Sequence, residues 1–214
     1  MTTQHKSDIS SMLADSPARG PSRTRLRLTG WSFAALLLVS AGMADVPDRT
    51  AGSAVVRTFY QHTGVIFLAQ ALSVAAALCF ALFATTLAHH LDRSRAVARA
   101  GLSVAGAAVL TSVPVAVLAV AHDPADPTLR ALVTACDATD VLLFGAIAAF
   151  AAAVARSIGS PAWRMLSATC AVISLARAVL LAFGSSTLSL VAPASFPLLV
   201  AALATLTPTR RSRH

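Results

Sequence analysis

An all-α polytopic bundle of about six transmembrane helices, with the N-terminus and C-terminus both cytoplasmic, is the fold class this sequence predicts. Three observations predict it. Of 214 residues, 56% are hydrophobic and only 12% charged, against roughly 25% charged in an ordinary soluble domain. The charges gather in short clusters between apolar runs of about twenty residues, the length that crosses a bilayer core. The basic residues also sit mainly in alternate clusters, as the retention of Lys and Arg on the cytoplasmic side requires.

Residues 1–25, from Met1 to Arg25, are polar and rich in Ser, Pro and Arg. They have too little apolar periodicity to bury a face and predict a disordered basic cytoplasmic tail. The transmembrane domain is expected over 26–207. Its first span, 28–44, is at the short limit for a crossing. Arg23, Arg25 and Arg27 before it and Gly42-Met43-Ala44 at its end also fit the core of a secretory signal cut after Ala44. Against that reading, the preceding tail is long for a signal sequence.

The second span, 53–88, begins amphipathically with Arg57, Tyr60 and His62 and is fully apolar from Val65. Its first part suits the membrane interface, where amphipathic and aromatic side chains settle. A short turn, His89 to Arg95, leads to the third span, 97–121, in which Pro114 should introduce a kink. Two prolines in the turn 122–127 forbid a continuous helix. The fourth span covers 128–157, and Gly159-Ser160-Pro161 separates it from the fifth, 162–183. An uncharged turn, Gly184 to Thr187, precedes the sixth, 188–206, which carries Pro193 and Pro197 and is expected to start late or bend. Residues 208–214 form a second basic cytoplasmic tail.

With six spans, the N-terminal tail, the 88–99 and 156–164 loops and the C-terminus share a side and hold 13 of the 17 basic residues. The opposite loops hold Arg49, Arg57 and Arg130, together with Asp45, Asp48, Asp123 and Asp126. The bias runs the same way at every crossing and survives removal of the first span. The net charge of +8 is therefore orientation charge. No basic face interleaved with aromatics points to nucleic acid. One Lys, no Glu and sixteen Arg in an Ala-rich chain suggest a high-GC bacterial genome and a bacterial plasma membrane.

Several features taken together resemble a group of actinobacterial six-helix integral membrane proteins of unknown function. They are Asp45-Val46-Pro47-Asp48 after the first helix, Phe59-Tyr60 with His62 two residues on, and an Arg-containing turn. Asp137 and Phe144 in the fourth helix and Pro161 to Arg164 at the start of the fifth complete the pattern. The resemblance covers about residues 28–207 and is one of spacing. It implies a retained first helix and supplies no activity to carry over.

A charged side chain at a helix centre costs about 2.5 to 3.5 kcal/mol on insertion scales unless paired or hydrated. Asp137, Asp140 and Arg177 are the three candidates. Asp137 and Asp140 share a face with Thr134, while Ser167, Cys170, Ser174 and Arg177 alternate by three and four along one stripe. Thr63, Gln70 and Ser73 make a similar stripe on the second span. The sequence thus predicts a polar cluster in the outer half of the bundle, centred on an Asp137/Asp140 to Arg177 ion pair, with Ser174 and Gln70 beside it. One reading is a structural pin between helices, small polar residues being common glue in membranes. The other is a ligand or proton site, since one arginine cannot neutralise two carboxylates.

No catalytic residues, cofactor or metal are predicted. Cys79, Cys136 and Cys170 lie within apolar runs without paired spacing and read as small buried thiols. His62 and His122 are interfacial without ligand spacing, and adjacent His89 and His90 point about 100° apart on a helix. No nucleophile elbow or phosphate loop appears. The sequence therefore favours a non-enzymatic membrane component, with a small-solute or proton-coupled transporter as the alternative. The absence of an internal repeat makes oligomerisation necessary for the second reading. Expected partners are the lipid bilayer and a second copy or another membrane protein, not nucleic acid. The small pairs Ala100-Gly101 and Ala105-Gly106 suit close helix contact.

Overall fold

The computed structural model describes residues 23–43, 53–91, 94–121, 126–185, 187–188 and 191–206. The greater part of both tails, the loop with Asp45, Asp48 and Arg49, and the turn with His122 and Asp123 lie outside these residues. Every described element is helical: α1 (Arg23–Met43), α2 (Ser53–Tyr60), α3 (Thr63–His90), α4 (Arg95–Val120), α5 (Asp126–Ser157), α6 (Pro161–Ala182) and α7 (Val191–Leu206). Five of them, α1, α3, α4, α5 and α6, are long and apolar enough to cross a membrane. At 16 residues α7 is about 24 Å long, short of a bilayer core of about 30 Å.

One departure from the sequence reading has a local cause. The expected second span is two helices, because Gln61 and His62 leave helical geometry; His62 has φ −88° and ψ 49°. Its Nδ1 lies 3.3 Å from the Thr58 carbonyl at the end of α2, so the imidazole serves a helix end. The described part of the sixth helix is Val191–Leu206. Leu188 has φ 67°, a left-handed conformation that a helix cannot contain.

Helix ends follow the expected chemistry. Ser94 caps α4, its hydroxyl accepting from the Val97 N–H at 3.4 Å and lying 3.2 Å from the Ser157 hydroxyl at the end of α5. Pro161 opens α6, where its missing N–H costs nothing. Gly184, with φ 76°, ends α6 in a Schellman motif. In it, the Ser185 N–H donates to the Leu180 carbonyl and the Gly184 N–H to Leu181, both at 2.9 Å.

The five long helices and α7 close a ring in which α3, α4, α5, α6 and α7 pack in chain order and α1 seals the gap between α3 and α7. Phe80 of α3 fills the centre. Its ring centroid lies 5.1 Å from those of Phe33 on α1, Phe150 on α5 and Phe196 on α7, the range of favourable aromatic pairs. Close approach at two seams depends on glycine. A Cβ at Gly30 would stand 2.6 Å from the Ala204 Cβ, and one at Gly101 would collide with the Ala84 Cβ. α1 is also tied by its Ser40 hydroxyl, which donates to the Ala69 carbonyl at 2.8 Å. Large apolar side chains point outward all round, Leu38, Leu78, Leu102, Leu142, Met165 and Phe183 among them. An exposed apolar belt of that extent calls for lipid as its solvent.

Candidate functional site

The polar stripe of α6 faces inward as its spacing predicts. Ser167 and Ser174 are fully buried and Cys170 nearly so. The spacing is helical and its apolar alternative face, with Met165, Val172 and Leu175, is exposed. Cys170 Sγ lies 3.9 Å from Ser195 Oγ on α7. Among the described residues the buried hydroxyls of Ser167 and, on α4, Ser112 have no hydrogen-bond partner, each a cost of about 1 to 3 kcal/mol, while the Ser174 hydroxyl has only the Cys170 thiol beside it.

Asp137, Asp140 and Arg177 are half-buried. Counting from the Ser157 end of α5 and the Pro161 end of α6 puts Asp140 and Arg177 about 26 and 24 Å along their helices. α6 itself is about 33 Å long, so Arg177 stands in its last third, while Asp140 lies near the middle of the 32-residue α5. Asp140 lies within electrostatic reach of Asp137. Among the described residues Asp140 and Arg177 are within electrostatic reach without a direct bond between them.

Arg177 instead reaches along α6 to the turn that follows it. Its Nη1 donates to the Ser185 and Thr187 carbonyls, both at 3.0 Å. The reason is geometric. The Schellman ending turns these carbonyls back over the last turn of α6, and the left-handed Leu188 keeps the chain from resuming a helix that would satisfy them. A guanidinium on a long stem reaches such acceptors more readily than a short carboxylate reaches the guanidinium. Arg177 Nε is buried and has no hydrogen-bond partner among the described residues.

Gln70 is half-buried on α3 and makes no hydrogen bond among the described residues. Its helix packs chiefly on α1 and α4, whereas the aspartates and Arg177 occupy α5 and α6. The cluster therefore gathers Asp137, Asp140 and Arg177, with Ser174 one turn below on α6, and no bond joins Gln70 to it.

Sequence reasoning did not anticipate a cavity of about 70 Å³ within the ring at mid-depth. It lies among α1, α3, α4, α5 and α7, with Phe33, Phe80, Phe196 and Ile147 in its walls and Ser73 and Thr111 as its polar side chains. Thr111 uses its hydroxyl on the Ala108 carbonyl at 2.8 Å. None of Asp137, Asp140 and Arg177 lines it. Only the packing of five helices creates such a space, so no local signal marked it. Comparison of the chain with protein families, with curated proteins and with solved structures finds no match.

Proposed function

We propose that this chain is a non-enzymatic component of a bacterial plasma membrane, with both termini in the cytoplasm. In this reading Asp137, Asp140 and Arg177 fasten the outer end of the bundle. The observation that supports it is the Arg177 clamp on the Ser185 and Thr187 carbonyls, together with a central cavity whose walls omit all three charges. A charge that holds a turn is part of the scaffold. Self-association or a membrane partner would complete its role.

Replacing Arg177 by Leu is the test. It leaves two turn carbonyls without their donor, at a cost of about 1.5 to 3 kcal/mol for charge-assisted bonds. A clear fall in melting temperature in detergent is expected, with partial recovery in Arg177→Lys. An unchanged melting temperature would remove the structural reading.

A proton-coupled or small-solute transporter, working as an oligomer, draws on a different observation: Asp140 has no bonded partner among the described residues. In proteoliposomes, Asp140→Asn would then abolish an imposed pH-gradient response while leaving the melting temperature intact. Under the scaffold reading there is no such response to abolish.

A further inference from the structure

One end of the ring is lined with arginine. Arg95 and Arg99 begin α4, Arg156 ends α5 and Arg164 lies in the first turn of α6. These helices pack in the order α4, α5, α6, so the four arginines stand on three neighbouring helices at one end of the ring. The Ser94 and Ser157 hydroxyls, 3.2 Å apart, join α4 to α5 between them. Arg95, Arg156 and Arg164 stand within about one helical turn of the helix ends, and Arg99 about 6 Å further in.

All four are exposed. Among the described residues none of their guanidinium groups meets a carboxylate or a carbonyl. Other arginines in the same chain do find such partners: Arg177 holds two carbonyls, and Arg27 Nη2 donates to the Thr205 carbonyl at 3.4 Å. The four on α4, α5 and α6 are exposed and, among the described residues, keep their hydrogen-bond donors for what surrounds this end of the bundle. At the ends of membrane-crossing helices, those surroundings are the headgroup layer.

We infer that Arg95, Arg99, Arg156 and Arg164 form a binding site for the phosphodiester headgroup of an anionic phospholipid at this end of α4, α5 and α6. A guanidinium matches a phosphate in a two-pronged geometry. Positive clusters between membrane helices attract anionic headgroups, and each arginine near the surface adds to the attraction. The exposed apolar flanks of these helices, with Leu102 on α4 and Met165 and Leu166 on α6, supply the surface on which the acyl chains lie. A free anion would use the guanidinium groups alone and gain nothing from that flank. The inference requires only a bilayer around the bundle and is independent of the role given to Arg177.

The test is lipid retention by the full chain, released from vesicles of phosphatidylglycerol and phosphatidylcholine in equal parts and weighed intact by native mass spectrometry. Phosphatidylglycerol should be retained over phosphatidylcholine. Arg95→Gln with Arg156→Gln should lower that preference roughly tenfold, while Arg95→Lys with Arg156→Lys, which keeps the charge, should lower it less. Arg130→Gln at the other end should not change it, and the melting curves of all variants should match. Equal retention of the two lipids would overturn the site, as would a preference that survives the double Gln change. Displacement of the bound phosphatidylglycerol by inorganic phosphate at constant ionic strength would overturn the lipid assignment.

Discussion

Gly101 and Gly106 look alike in the sequence, each following an alanine in one apolar helix. Their surroundings separate them. Gly101 is buried against Ala84, with no room for a Cβ, whereas Gly106 is exposed with nothing within 4 Å of that position. Gly101→Val should therefore destabilise the bundle by about 1 to 3 kcal/mol, the usual penalty of overpacking. Gly106→Val should stay within about 0.5 kcal/mol. Thermal unfolding in detergent compares the two directly, and equal effects would mean that the α3–α4 seam is not the close contact described. The polar residues divide in the same way. Helical spacing correctly places Ser167, Cys170 and Ser174 on one buried stripe, since side-chain direction repeats every 3.6 residues. Which acceptor Arg177 takes was not legible, because the Ser185 and Thr187 carbonyls are in reach only after the turn has formed.

Among the elements, the α6–α7 connection carries the most local information. Gly184 supplies the left-handed residue of the Schellman ending, and an alanine there would bear a strain of about 1 kcal/mol. Gly184→Ala should lower the melting temperature. Combined with Arg177→Leu, the two losses should sum to less than their separate values, because both act on the same turn. Full additivity would show that the arginine and the Schellman motif support different things. The long apolar helices were legible by length and hydropathy, and Pro161 and Gly184 mark ends that the sequence places within a residue or two. The break at Gln61 and His62 was not. No Pro or Gly stands at those two positions, and an amphipathic segment joined to an apolar one reads as continuous until packing turns one away from the other.

At the scale of the whole molecule, α1 is a wall of the ring. It contributes Phe33 to the central aromatic cluster, Gly30 to the seam with α7 and Ser40 to a hydrogen bond with α3. A chain lacking residues 1–44 should therefore fail to give a folded, monodisperse protein in detergent. An epitope placed before Met1 should remain on the mature chain, and its loss by cleavage would favour the signal-peptide reading. Orientation is tested separately: a reporter joined after His214 should be cytoplasmic, and a periplasmic one would reverse the arginine argument.

The sequence by itself determined the solvent, the class of structure and the approximate place of each long helix. These depend on the composition and length of contiguous segments, and a bilayer reads such segments one at a time. Only the tertiary structure decided that α1 closes a ring, that five helices leave a small space beside Phe80, and that Arg177 spends its charge on a turn. Each of those is a relation between residues far apart in the chain or across a bend, and side-chain reach is set by where the backbone has already gone.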